Sequence, residues 1–218
     1  MVPHIGPRAG FTLVEFAVAT ALLGVISGAI FMATDSSGKS IRTGSVVSSL
    51  ENRGSVALDR IAEELSLAVR DDVLPGAPAA EAPFHASQLD FQISTWVSPN
   101  VILGNTARIG FEYTPDEPND GVDNNGNGLI DEGRVVLTTD VGLGSEGRQV
   151  LCRGVSESFE GEVSGNGLDD NRNGLRDEGG CSFDFDGDRV TIRLTLAATD
   201  SQGLVISRTF TRTVALKR

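Results

Sequence analysis

Gly10-Phe11-Thr12-Leu13-Val14-Glu15 opens an almost unbroken apolar run that continues to Met32. At about 1.5 Å per helical residue, Phe11–Met32 is long enough to cross a bilayer core of about 30 Å. One acid, Glu15, sits inside it. A carboxylate buried in a membrane helix costs roughly 3 kcal/mol near the bilayer centre, so a hydrophobic anchor with no other task has no reason to keep one. A secretory signal peptide would show a basic start, a shorter apolar core and a small-residue cleavage site. Here the leader Met1–Gly10 carries Arg8 as its one fixed charge, and Pro3 and Pro7 oppose helix there. The positive-inside tendency still leaves the N-terminus cytoplasmic.

Downstream of Met32 the chain turns polar but keeps a helical period. Val47, Leu50, Gly54, Ala57, Leu58, Ile61, Leu65 and Ala68 recur at steps of three and four, which is one face of a helix. Pro75-Gly76 ends the pattern. One helix is therefore expected from about Phe11 to about Asp72, with its weakest stretch at Ser36–Gly44. The segments are an apolar half (11–32), an amphipathic half (33–72) and a β-rich remainder (73–218). From Gln88 the period changes to two: Leu89, Phe91, Ile93; Ile109, Phe111, Tyr113; Cys181, Phe183, Phe185; Val190, Ile192, Leu194, Leu196. Val135–Leu137, Val150–Cys152 and Leu204–Leu216 add further strands. Strands joined by Gly/Asn/Asp turns read as an antiparallel sheet. A long helix followed by strands is an α+β arrangement in which sheet and amphipathic helix cover each other's apolar faces.

The hexapeptide 10–15 resembles the processing signal of type IV prepilins and type II secretion prepseudopilins. The resemblance implies that a prepilin peptidase cuts after Gly10 and methylates the new N-terminus at Phe11. It also implies that Glu15 guides assembly by pairing with the terminal amine of a neighbouring subunit. Ala57-Leu58-Asp59-Arg60-Ile61 with Glu64-Leu65 is similar to the helix of J-class minor pseudopilins and of PilW-like minor pilins. Membership would make the fold pilin-like and the partners sister pseudopilins or minor pilins. It would place the chain in the bacterial inner membrane, single-pass, with its C-terminal domain in the periplasm or in an extracellular filament. The tip-most pseudopilin class typically lacks the glutamate, so retention of Glu15 implies a subunit above this one. Gly24 and Gly28 form a Gly-x-x-x-Gly pair that would let helices approach closely, or are simply tolerated small residues.

A second motif interrupts the β region twice. Asp120-Gly-Val-Asp123-Asn-Asn125-Gly-Asn127-Gly-Leu129-Ile-Asp131-Glu132-Gly133 recurs as Asn166-Gly-Leu-Asp169-Asp-Asn171-Arg-Asn173-Gly-Leu175-Arg-Asp177-Glu178-Gly179, each residue 46 places after its counterpart. Oxygen-bearing side chains at alternate positions, then glycine, follow the first part of an EF-hand loop, whose geometry turns alternate oxygens toward one Ca²⁺. The final bidentate glutamate is missing: Arg134 and Gly180 stand in its place. The loops, at 116–133 and 165–180, resemble the short Asp/Asn-rich calcium repeats of thrombospondin type 3. Two calcium sites are expected. Asp123, Asn125, Asn127 and the Leu129 carbonyl would serve one, and Asp169, Asn171, Asn173 and the Leu175 carbonyl the other. Asp131 or Glu132, and Asp177 or Glu178, would close them, and Asp120 or Asn166 could add an oxygen. The competing reading is a pair of Asn-Gly turns. Mg²⁺ prefers fewer protein ligands and more water, and zinc would find His85 as the one histidine after cleavage, with both cysteines suited to a disulfide. Cys152 and Cys181 flank the second loop. A bridge between them would stabilise by about 3–4 kcal/mol, and the alternative is two buried thiols.

Composition narrows the function. The net charge is −12 and the isoelectric point near 4.5, which opposes nucleic-acid binding driven by Lys/Arg contacts to phosphate. There is no Gly-x-Ser-x-Gly elbow and no phosphate-cradling Gly-x-x-x-x-Gly-Lys-Ser/Thr motif. The expectation is an assembly protein rather than an enzyme. A minor pseudopilin comes first, then a PilW-like minor pilin that primes type IV pilus assembly. A calcium-dependent surface binding module on a pilin stem is the third possibility.

Overall fold

The computed structural model describes residues 12–74, 84–97, 100–163, 165–186 and 188–217. The expected cleavage junction Gly10–Phe11 lies outside them, as does the Pro75–Pro83 loop. The chain divides into two compact units, residues 1–44 and 45–218.

The first unit is the N-terminal stretch of helix α1 (Leu13–Ser66). Its start follows from chemistry that the apolar run cannot supply. Thr12 is the N-cap: its Oγ1 accepts the Glu15 N–H at 3.2 Å. Glu15 reaches back in turn, its Oε2 accepting from the Thr12 N–H and hydroxyl, both at 2.8 Å. This reciprocal capping box satisfies donors that a helix N-terminus otherwise leaves orphaned. Beyond it the helix is apolar on every face. Leu13 is 86% exposed, Phe31 75% and Met32 74%. Such a helix does not persist bare in water. It is long and apolar enough to cross a membrane, with a mean hydropathy of 2.2 over its most apolar window. Two of its hydroxyls bond inward: Thr20 donates to the Phe16 and Ala17 carbonyls, and Thr34 to that of Ile30. This internal pairing lowers the cost of placing them in lipid.

The second unit begins with residues 45–66 of α1, now amphipathic. Leu50, Gly54, Ala57, Leu58, Ile61 and Leu65 are buried. Burial starts at Val46–Leu50, where the apolar stripe of the sequence begins, and Ser36–Gly44, the stretch expected to be weakest, is helical. The helix ends at Ser66, six residues before the expected Asp72. Past it the chain extends and pairs through single bridges, Ala68 to Ile93, Val69 to Lys217 and Leu74 to Asp90, around a 3₁₀ turn at Arg70–Asp72. Bonding to the sheet thus replaces the last helical turn.

The strands are β1 (Phe84–Ala86), β2 (Gln88–Val97), β3 (Asn100–Tyr113), β4 (Gly133–Thr139), β5 (Gly147–Val155), β6 (Cys181–Asp186), β7 (Arg189–Thr199) and β8 (Val205–Ala215). All neighbours are antiparallel, in the order β1-β6-β7-β5-β4-β3-β2, with β8 on the other edge of β7. β6 and β5 meet end to end along β7: Cys181 faces Leu194 and Val155 faces Leu196. The expected α+β architecture is therefore present. Helix residues 45–66 and the inward strand residues Leu89, Phe91, Ile109, Phe183, Ile192 and Leu194 share one core. Gly54 is the tightest point of that packing, because a Cβ there would run into the ring of Phe210 on β8. Asp59 pairs with Arg212, and Arg53 donates to the Arg153 carbonyl.

Candidate metal centres

Both acidic loops leave the same end of the sheet, since Gly133 pairs with Val155 and Val155 with Leu196. Their backbones repeat as their sequences do. Gly121 and Gly167 have φ of 76° and 73°, Gly128 and Gly174 have 86° and 94°, and Asp131 and Asp177 both have 51°. One counterpart pair breaks the pattern chemically but not conformationally: Gly126 (φ 71°) is matched by Arg172 (φ 62°).

Local hydrogen bonds hold this shape. Asp123 accepts from the N–H groups of Gly126, Asn127 and Gly128, and Asp169 from those of Asn173 and Gly174. Asn125 and Asn127 oxygens accept from the N–H two residues on, and so do those of Asn171 (from Asn173) and Asn173 (from Leu175). These are Asx turns. Asp120 and Asn166 make the same turn at the loop entrance, to Val122 and Leu168. Asp131 and Asp177 reach back to that entrance, accepting from Gly121 and Gly167 respectively. Leu129 and Leu175 bury their side chains and pin each loop to the domain.

Glu132 and Glu178, rather than Asp131 and Asp177, face the loop interior. Asn125 and Asn127 donate their carboxamide N–H to Glu132 Oε1 at 2.8 and 2.6 Å. Asn171 and Asn173 donate to Glu178 at 3.4 and 2.7 Å. Each loop therefore gathers two carboxamides and one buried carboxylate, with Glu132 4% and Glu178 1% exposed. Among the described residues no three or more His, Cys, Asp or Glu side chains converge on one point. Any metal in these loops would depend on the carboxamide and carbonyl oxygens as well as on the acids. Oxygen donors of this type suit a hard cation such as Ca²⁺.

Two further glutamates take part that the repeat does not reveal. Glu117, fully buried, accepts the N–H groups of Asn124 and Asn125 at 3.0–3.1 Å. Glu162 accepts that of Asn171 at 2.9 Å. They fall one place out of step with the 46-residue offset, and their partners are backbone groups. The only sequence signal is an acid shortly upstream of each loop.

The surroundings raise two kinds of pKa. The Tyr113 hydroxyl, pushed up to about 12 by burial and by Glu157 and Asp131 nearby, donates to Glu157 at 3.2 Å and accepts from Asn119 at 2.7 Å. Burial, with Cys152 close by, pushes the Cys181 thiol up to about 12, and burial also raises that of Cys152. Both cysteines are free and buried, where a bridge between them was the expectation. They pack as small apolar side chains of the core. Backbone bonds close the second loop instead: Phe159 N–H to the Glu178 carbonyl at 2.8 Å, and Gly180 N–H to that of Glu157 at 2.9 Å.

Glu15 is exposed in the first turn of α1. No known family model, curated protein or solved structure matches the chain.

Proposed function

We propose that this chain is a filament subunit of the pilin type, most specifically a minor pseudopilin of a type II secretion system. It is cut by a prepilin peptidase between Gly10 and Phe11. Residues 11–32 hold it in the bacterial inner membrane, its β domain lies in the periplasm, and it joins sister subunits through α1. The observation that carries this reading is a helix apolar on every face that nonetheless opens on one acid, Glu15. The capping box with Thr12 gives the carboxylate partners within its own chain. One lone pair set on Glu15 thus remains for the amine of a neighbour, and pairing two desolvated charges offsets the penalty each bears alone. A PilW-like minor pilin would use the same helix in the same way, and the neighbouring genes of a secretion or pilus operon separate the two.

The two loops serve this subunit as calcium sites, Asn125, Asn127 and Glu132 lining one and Asn171, Asn173 and Glu178 the other. Bound calcium would supply the positive charge that buried Glu132 lacks and so fix this end of the sheet. The exposed apolar tips Val122, Ile130 and Leu168 favour a second reading, in which the calcium-held loops present these side chains to a surface ligand.

Co-expression with a prepilin peptidase followed by intact-mass measurement tests the filament reading. The expected product begins at Phe11. A product beginning at Met1, or cut near Ala33, overturns it.

A further inference from the structure

We infer that the two loops are not equivalent metal sites: the first is an open cation site, and in the second the guanidinium of Arg193 already occupies the place of the cation. This rests on the calcium reading above and assigns it an order of filling.

The counterpart glutamates carry the distinction. Glu178 has both oxygens engaged. Its Oε2 accepts from Asn171, and its Oε1 accepts from Asn173 and, at 3.2 Å, from Arg193 Nη1. Arg193 is itself held in place, its Nε 2.8 Å from Asp184 Oδ2 and its charge 5.5 Å from the centre of the Phe159 ring. Glu132 has no such partner. Both carboxamides bond to its Oε1, and its Oε2 is buried with no hydrogen-bond partner. A buried carboxylate oxygen without a partner is costly. A second orphan lies beside it: Thr199 Oγ1, buried and unpartnered, lines the same cavity of about 370 Å³ as Asn125, Asn127 and Glu132. Arg53 and Arg153 also border this cavity. Arg53 is committed to the Arg153 carbonyl, and neither forms an ion pair with Glu132 among the described residues.

Charge points the same way. Residues 116–133 carry Asp116, Glu117, Asp120, Asp123, Asp131 and Glu132 with no basic residue. The matching span 162–179 sets Glu162, Asp169, Asp170, Asp177 and Glu178 against Arg172 and Arg176. Affinity for Ca²⁺ rises with the net negative charge of the ligands. A cation entering the second loop must also displace Arg193 from Glu178, whereas Glu132 Oε2 in the first has no partner to displace; the second loop's own orphan oxygen, Glu162 Oε2, belongs to the carboxylate that braces the Asn171 N–H and not to the one that gathers the two carboxamides.

The test is a calcium titration of the full-length protein in detergent micelles, by calorimetry, with Glu132→Gln, Glu178→Gln and Arg193→Gln alongside. Wild type is expected to take up calcium in two steps separated by about tenfold or more in concentration. Glu132→Gln should remove the tighter step and Glu178→Gln the weaker one. Arg193→Gln should narrow the gap, and if that variant does not fold, the two isosteric glutamine variants decide. Two equal steps in wild type would overturn the inference, as would a tight step that survives Glu132→Gln or disappears with Glu178→Gln. No uptake at millimolar calcium would overturn the calcium reading with it. The filament reading would be untouched, because it is decided by the cleavage product.

Discussion

The two loops share a backbone and differ in charge, and the difference separates what shapes a loop from what it binds. The common acids Asp123/Asp169 and Asp131/Asp177 spend their oxygens on nearby N–H groups and fix the turns. The divergent positions, Gly126 against Arg172 and Ile130 against Arg176, leave the path intact while changing the field around it. Shape and affinity are written in different residues, so each can be broken separately.

The largest expected contrast is at the loop exits, where the constraint has shifted by one residue. A Cβ at Gly133 would lie 2.5 Å from the Glu112 carbonyl oxygen and clash with the edge of the Phe111 ring, but at its counterpart Gly179 the nearest atom would be 3.5 Å away. In the second loop the clash falls on Gly180 instead, against the Ser156 backbone. Gly133→Ala and Gly180→Ala should each cost about 3 kcal/mol in chemical denaturation, and Gly179→Ala well under 1 kcal/mol. Equal losses at Gly133 and Gly179 would mean that the two exits are packed alike.

The buried glutamates come next. Glu117→Ala strands two backbone N–H groups and Glu162→Ala one. The expected losses are roughly 2 and 1 kcal/mol in the same assay. A larger loss at Glu162 would reverse the assignment of Glu117 as the stronger brace.

The smallest effect is at Arg172, an L-residue held at φ 62° where its counterpart is glycine. Arg172→Gly relieves that strain but adds freedom to the unfolded chain, so a gain of about 0.5 kcal/mol is expected. A shift in melting temperature of the opposite sign would show that the Arg172 side chain contributes contacts that outweigh its backbone cost.

Much of this was legible in the sequence because it is periodic. The apolar run, the helical stripe from Leu50 to Leu65 and the alternating strands each state their geometry locally. So did the repeat, since spaced oxygens and Asn-Gly turns act over a few residues. What escaped was long-range. Arg193 comes from β7 to meet Glu178, and Thr199 from its far end to meet the first loop; neither lies near its partner in sequence. The helix was read six residues too long because Arg70 bonds to Lys217 at the opposite end of the chain. The alternating pattern around Cys181 placed it correctly in a strand. The cysteine count could not say whether the core held it as a thiol or a bridge. The glutamate that faces each loop interior was one of two adjacent acids, and only the fold separates 131 from 132.

The seat of Phe210 on Gly54 has a mechanical meaning. A ring lodged in a notch on a helix resists sliding of residues 45–66 along the sheet, because movement in either direction brings a side chain with a Cβ against it. Tension applied along α1 would therefore be borne in shear at this detent. Asp59–Arg212 would share the load one and a half turns further on. Filling the notch with Gly54→Val would leave the two surfaces without a keyed alignment, and the domain would lose its grip on the helix before it lost its strands.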